Sequence, residues 1–185
     1  MRPLSTGALA EAAKRRAFFV RAAATGCLLA VMYGSPLRSQ PTGSGGWARY
    51  SDPLGFTLMK PDDWRVHAEN PGDISVSDPR GKSAAMVRAR IVPPQANLAQ
   101  WLQQQYPATE PGLVNVRMLK VEAMGPQVVR AAFDYGGNAF QGRASVIAVR
   151  GGDVATIFVA AATRAEFAQR LPELTRILES VRFGS

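Results

Sequence analysis

The stretch YSDPLGFTLMKPDDW, residues 50–64, spells a turn, a strand and a second turn. Asp52 and Pro53 before Gly55 are turn chemistry, because proline presets φ and glycine accepts backbone angles that other residues avoid. Phe56, Leu58 and Lys60 then alternate with Thr57 and Met59 at the period of a strand, and Pro61-Asp62-Asp63 turns the chain again to deliver Trp64. The segment predicts a hairpin with Phe56 and Trp64 in the core.

Downstream, residues 73–77 and 83–92 read as strands, the second with Val87, Ala89 and Ile91 on one face and Arg88 and Arg90 on the other. That alternation predicts one buried and one solvated face. Pro93-Pro94 ends the strand, and Asn97 is placed to cap a helix in which Leu98, Trp101 and Leu102 share a side before Pro107 stops it. Further strands are predicted at 114–123, 127–135, 139–150 and 154–162. Gly136-Gly137-Asn138 and Gly151-Gly152-Asp153 punctuate them as hairpins, which makes an antiparallel meander. Thr163 with Glu166 has the spacing of a capping box, and Phe167, Leu171, Leu174, Leu178 and Val181 lay an apolar stripe along the helix that follows. Pro172 inside that helix predicts a kink, or a second helix starting there.

Upstream, the apolar run of thirteen residues from Ala22 to Gly34 follows Lys14, Arg15 and Arg16. A helix needs about 20 apolar residues to cross the hydrocarbon core, so a cleavable export signal over 1–39 is the expected reading. Arg15-Arg16 before Phe18-Phe19-Val20 resembles the twin-arginine signal pattern; plain n-region charge is the alternative. Thr25-Gly26-Cys27 has the look of a lipobox, which would lipidate Cys27, although the apolar run continues past it. The simpler cleavage site follows Ser39. Residues 40–46 form a Pro-, Gly- and Ser-rich flexible linker, and the 139 residues from Trp47 suit one domain with one core.

Charge excludes less than it first suggests. The chain carries +8, but residues 1–46 hold six Lys and Arg against one acid, leaving sixteen against thirteen for 47–185. Those cations are scattered along strands with no nucleic-acid signature, so nucleic acid is not expected as a partner. The one cysteine lies in the leader, so the domain is expected to be held by packing alone.

Tyr50-x-Asp52-Pro53-x-Gly55-Phe56-x-Leu58-x-x-Pro61-x-x-Trp64, together with Ile177-Leu178-x-Ser180-Val181-x-Phe183, resembles the PsbP-like superfamily across residues 47–183. That superfamily takes in the extrinsic PsbP subunit of photosystem II and many bacterial exported proteins. The resemblance implies an α+β fold, an α-β-α sandwich with a central antiparallel sheet preceded by an N-terminal signal segment. It also implies a non-catalytic accessory protein that docks on other proteins, in the periplasm, or in the thylakoid lumen of a photosynthetic organism. The loops through which plant PsbP engages the photosystem have no equivalent here.

The expected function is therefore that of an exported accessory protein docking on, or helping to assemble, a membrane or envelope complex, with no cofactor. An uncleaved leader or a lipid on Cys27 would add membrane association. Partner-binding candidates are the aromatic and cationic residues that neither a strand face nor the helix stripe requires: Trp47, Arg49, Tyr50, His67, Arg88 and Arg90. For Arg88 and Arg90 the plain alternative is the wet face of a strand. A small-ligand or weak metal-binding carrier is the second expectation, with Trp101, Tyr106 and Phe140 lining a gap under the first helix, or His67 joined by Asp62, Asp63, Asp73 or Asp78 around a divalent ion. A hydrolase built on His67, the only histidine, is a distant third, since no Gly-x-Ser-x-Gly elbow lies in the domain.

Overall fold

In the computed structural model, which describes residues 46–70, 72–110, 113–136 and 141–183, the turn at Asp52-Pro53-Leu54-Gly55 closes a hairpin between β1 (Trp47–Asp52) and β2 (Phe56–Pro61). Asp52 organises that turn. Its carbonyl accepts from the Gly55 amide at 3.0 Å, its side chain accepts from the Leu54 amide at 2.8 Å and the Tyr50 hydroxyl at 2.7 Å, and Gly55 takes φ +86°. Phe56 and Trp64 are both buried, as expected. The hairpin expected to join them is not formed, because the strand after Trp64, β3 (Arg65–Asn70), belongs to another sheet. The second turn passes the chain between layers, and β2 finds its partner upstream in a strand that begins at Trp47.

The remaining strands are β4 (Asp73–Ser77), β5 (Ser83–Ile91), β6 (Arg117–Gly125), β7 (Val128–Gly136), β8 (Gln141–Gly151), β9 (Val154–Thr163) and the two-residue β10 (Arg182–Phe183). Seven of the described strands make one antiparallel sheet in the order β3-β4-β5-β9-β8-β7-β6, and β1-β2-β10 make a smaller one. The meander β6 to β9 stands as expected. Between β8 and β9 the loop is Gly152-Asp153, with Gly152 at φ +68°, which a side chain would resist. β9 lies at the centre, and its interior residues from Ala155 to Ala162 are buried on both faces.

Helices cover both faces, giving the expected α+β sandwich. On one side α3 (Phe167–Ser180) and the small sheet pack Leu174, Ile177, Phe56 and Leu58 against Val87, Phe158 and Ala160. On the other, α1 (Leu98–Gln104) and α2 (Tyr106–Thr109) pack Trp101, Leu102 and Tyr106 against Phe133, Val146 and Ile157. Asn97 caps α1 as expected, its side chain accepting from the Gln100 amide at 3.0 Å. Pro107 does not merely stop α1; it sits in the first turn of α2, where its missing N–H is no loss.

The capping box and a second helix starting at Pro172 are the expectations that fail at α3. No capping box forms, because Thr163 stays paired with Gly142 at the end of β9 and cannot serve as cap; Glu166 takes the N-cap position without a side-chain hydrogen bond. Nor does Pro172 split the helix, which runs unbroken over fourteen residues. Pro172 and Ala168 are both exposed, so the carbonyl that loses its partner faces water while the buried stripe holds the turns together. The export signal with Arg15, Arg16 and Cys27, and the linker through residue 45, lie outside the described residues.

Candidate functional site

α1 and α2 cover only part of their face of the sheet. Beyond them a groove of about 400 Å³ runs from β3 to β7. Strand register builds its floor: His67 pairs with Ser75, Ser75 with Met86 and Met86 with Val159, so that one row crosses four strands on a single face. A second row, Ala161, Ala144 and Phe133, carries the floor to β7, where Tyr135 completes an apolar wall.

At the other side of the groove four charges close a ring. Arg88 Nε lies 3.1 Å from Asp73 Oδ1 and 3.2 Å from Glu110 Oε2, while Arg90 reaches Asp73 Oδ2 at 3.3 Å and Glu110 Oε1 at 2.6 Å. Asp73 faces Arg88 in the β4–β5 register, and Glu110 hangs over them from the end of α2. The Glu110 side chain is 9% exposed and the two arginines 16% and 18%, so the ring is largely screened from water and neutral in sum. Arg88 also donates to the Ile74 carbonyl at 2.9 Å. Burial, with Glu110 nearby, pushes the Tyr106 phenol well above its ordinary range, so it remains neutral.

The six residues expected to bind a partner fall into two groups in separate layers. His67, Arg88 and Arg90 line the groove. Trp47, Arg49 and Tyr50 lie on β1, in the small sheet beside α3. Trp47 is capped by the guanidinium of Arg176, 3.9 Å from the ring centroid, and the Tyr50 phenol is raised by its hydrogen bond to Asp52. Arg49 is exposed opposite Met59. Arg88 and Arg90 do not stand on a wet strand face, since they are partly buried and paired with Asp73 and Glu110. Of their acidic partners, Asp73 lies on a strand expected from the sequence, but its register with Arg88 is set only in the folded sheet, and Glu110 arrives over a helical crossover that no local pattern signals.

The other expectations have their places too. Trp101 and Tyr106 pack tilted with centroids 6.2 Å apart in the core, and Phe140 lies outside the described residues. His67 is 79% exposed and stands 3.9 Å from Glu69, a solvated pair on an edge strand. Asp78 is held within its own loop by the amides of Arg80 and Lys82 and by the Ser83 hydroxyl. Among the described residues no three His, Cys, Asp or Glu converge to hold a metal ion.

No family model and no curated protein matches the chain. Among solved structures it is similar to cyanobacterial PsbP (CyanoP) from Synechocystis sp. PCC 6803, with 16% identity and a TM-score of 0.48 over 80% of this chain and 99% of that one. It is similar also to LpqN, described as involved in cell envelope biogenesis of Mycobacterium tuberculosis, with 18% identity and a TM-score of 0.41 over 77% and 93% of the two chains. A Bacteroides thetaiotaomicron structure shares 11% identity at a TM-score of 0.44, over 74% of this chain and 48% of that one. The Synechocystis structure carries the name PsbP, the family that the two sequence motifs resemble.

Proposed function

We propose that the chain is an exported, non-catalytic binding protein that receives a segment of a membrane or envelope protein in the groove between β3, β5 and α2. The groove itself carries this reading: about 400 Å³ of concave surface, aromatic on one side and bounded by paired charges on the other. Apolar floor with a few fixed polar groups is what recognition uses to combine desolvation with orientation. The charges suit that task better than proton transfer, because Arg88 and Arg90 are held by Asp73 and Glu110 while His67 stands in solvent. Export rests on the leader pattern over residues 1–39.

A photo-crosslinking residue at Ser75, inside the groove, tests the reading when the protein is expressed in its own cells. The expected result is one discrete protein adduct, absent when the probe stands at Lys120 on the far edge strand. Equal labelling from both positions would overturn it. A small-ligand carrier is the second reading, favoured by a volume within the range of small-molecule sites. It predicts a bound mass in native mass spectrometry and no adduct from Ser75.

A further inference from the structure

Past Tyr135, at the far end of the groove, the strands arrange a row of charges that does not balance. Register places Arg117 of β6 and Arg143 of β8 directly opposite Asp134 of β7, one on each side, and Arg164 comes in from the end of β9. Arg143 takes the carboxylate in a fork, Nε to Oδ1 at 2.7 Å and Nη2 to Oδ2 at 3.2 Å. That leaves Arg117 Nη2 at 3.4 Å from Oδ2 and Arg164 Nε at 3.8 Å. These two are 68% and 51% exposed, and they stand on the rim of a depression of about 300 Å³. The amide-bearing side chains of Asn115 and Gln141 line it beside them.

Three guanidinium groups around one carboxylate leave a surplus of two positive charges. A single aspartate already bound by a fork cannot satisfy the remaining donors, whose planar geometry matches tetrahedral oxyanions. We propose that this depression, between Arg117 and Arg164, binds a phosphate-class oxyanion, with Asp134 as the positioning residue that spaces the guanidinium groups. The phosphate can belong to a lipid headgroup or to a soluble ester; both present the same oxygens. The site is separate from the reading of the groove and stands or falls without it.

Arginine side-chain NMR of the protein, titrated with inorganic phosphate at constant ionic strength, tests the site. Arg117 and Arg164 are expected to shift together on one saturating curve while exposed Arg49 stays still. Arg117→Gln and Arg164→Gln are each expected to weaken binding about tenfold, the loss of one charge-assisted contact. Circular dichroism of each variant checks that the fold is kept. Absence of saturation by about 50 mM phosphate, or Arg49 moving in step with the pair, would overturn the proposal. Phosphatidylglycerol vesicles, with phosphatidylcholine as control, separate the sources. Sedimentation that depends on both arginines assigns a lipid headgroup, whereas a phosphate response without sedimentation assigns a soluble ester.

Discussion

The hydroxyl of Ser180 accepts a hydrogen bond from the amide of Met59 at 2.8 Å, across 121 residues of chain, and donates to the Ile177 carbonyl at 2.6 Å. β10 pairs with β2 only at Thr57 and Phe56, so the Met59 amide lies beyond the reach of that short strand. Ser180 continues the edge with a side chain where backbone is missing. Ser180→Ala is therefore expected to cost about 1 kcal/mol, the net worth of a part-buried hydrogen bond, as a lowered urea midpoint with an unchanged slope.

This contact also shows what the sequence could and could not disclose. The two motifs near the ends of the domain, around Phe56 and around Val181, are legible as turn and packing residues, and the structure brings them together as β2, β10 and the last turn of α3. Alternation gave the extent of β5 and the meander, because a two-residue period and glycine turns are local signals, although Ile91, expected on the buried face of β5, is 63% exposed at the strand end. What failed was decided at a distance. Thr163 and Glu166 spell a capping box, yet strand pairing with Gly142 claims Thr163 first; Pro172 reads as a break, yet Leu174, Ile177 and Leu178 hold the helix on the sheet. The same limit governs the candidate sites: local pattern gives the strands that carry Asp73 and Arg88 but not the register that aligns them, and nothing local brings Glu110 or Arg164 to their partners.

Glu110 is expected to matter more than its position in a loop suggests. It bridges two arginines that are mostly screened from water, and removing it leaves both to share Asp73. Glu110→Ala is expected to destabilise by about 2 kcal/mol, more than the exposed pair of Lys120 and Glu122 would, because unpaired charge is costly where water is excluded. A double-mutant cycle with Arg90→Met measures the coupling, and additive losses would show that the ring contributes nothing as a unit.

Asp78 predicts an acid limb in the stability curve. Burial pushes its carboxyl up, but hydrogen bonds from the Ser83 hydroxyl and the amides of Lys82 and Arg80, with the Arg80 charge, together hold it below its ordinary 3.8. A group whose pKa is depressed on folding binds protons more weakly in the native state, so its contribution is complete above that ordinary value and is lost as pH falls through the folded one. Chemical denaturation across the acid range is expected to show this decline, and Asp78→Asn to flatten it while lowering stability at neutral pH by about 1–2 kcal/mol.

Thr156 offers a gain. It is fully buried in β9, and its hydroxyl finds no hydrogen-bond partner among the described residues. Valine has the same branched shape and strand preference without the unsatisfied group. Thr156→Val is expected to raise stability by about 1 kcal/mol, seen as a higher melting temperature; a lower one would mean that the hydroxyl is satisfied after all.

Gly142 and Tyr135 face each other across β7 and β8, and the ring lies over the glycine. A Cβ at Gly142 would come within 2.7 Å of the Tyr135 Cε1 and hydroxyl oxygen, so the ring would have to move from the wall it makes for both the groove and the charged depression. Gly142→Ala is expected to cost about 1–3 kcal/mol through this overlap. Backbone alone argues the reverse, because alanine in a strand loses less conformational freedom on folding than glycine. In a Tyr135→Ala background the sign should therefore change, and Gly142→Ala should become neutral or stabilising by up to about 1 kcal/mol. Thermal unfolding of the four proteins in the cycle separates the two effects, and an equal cost with and without the ring would locate the strain in the backbone instead.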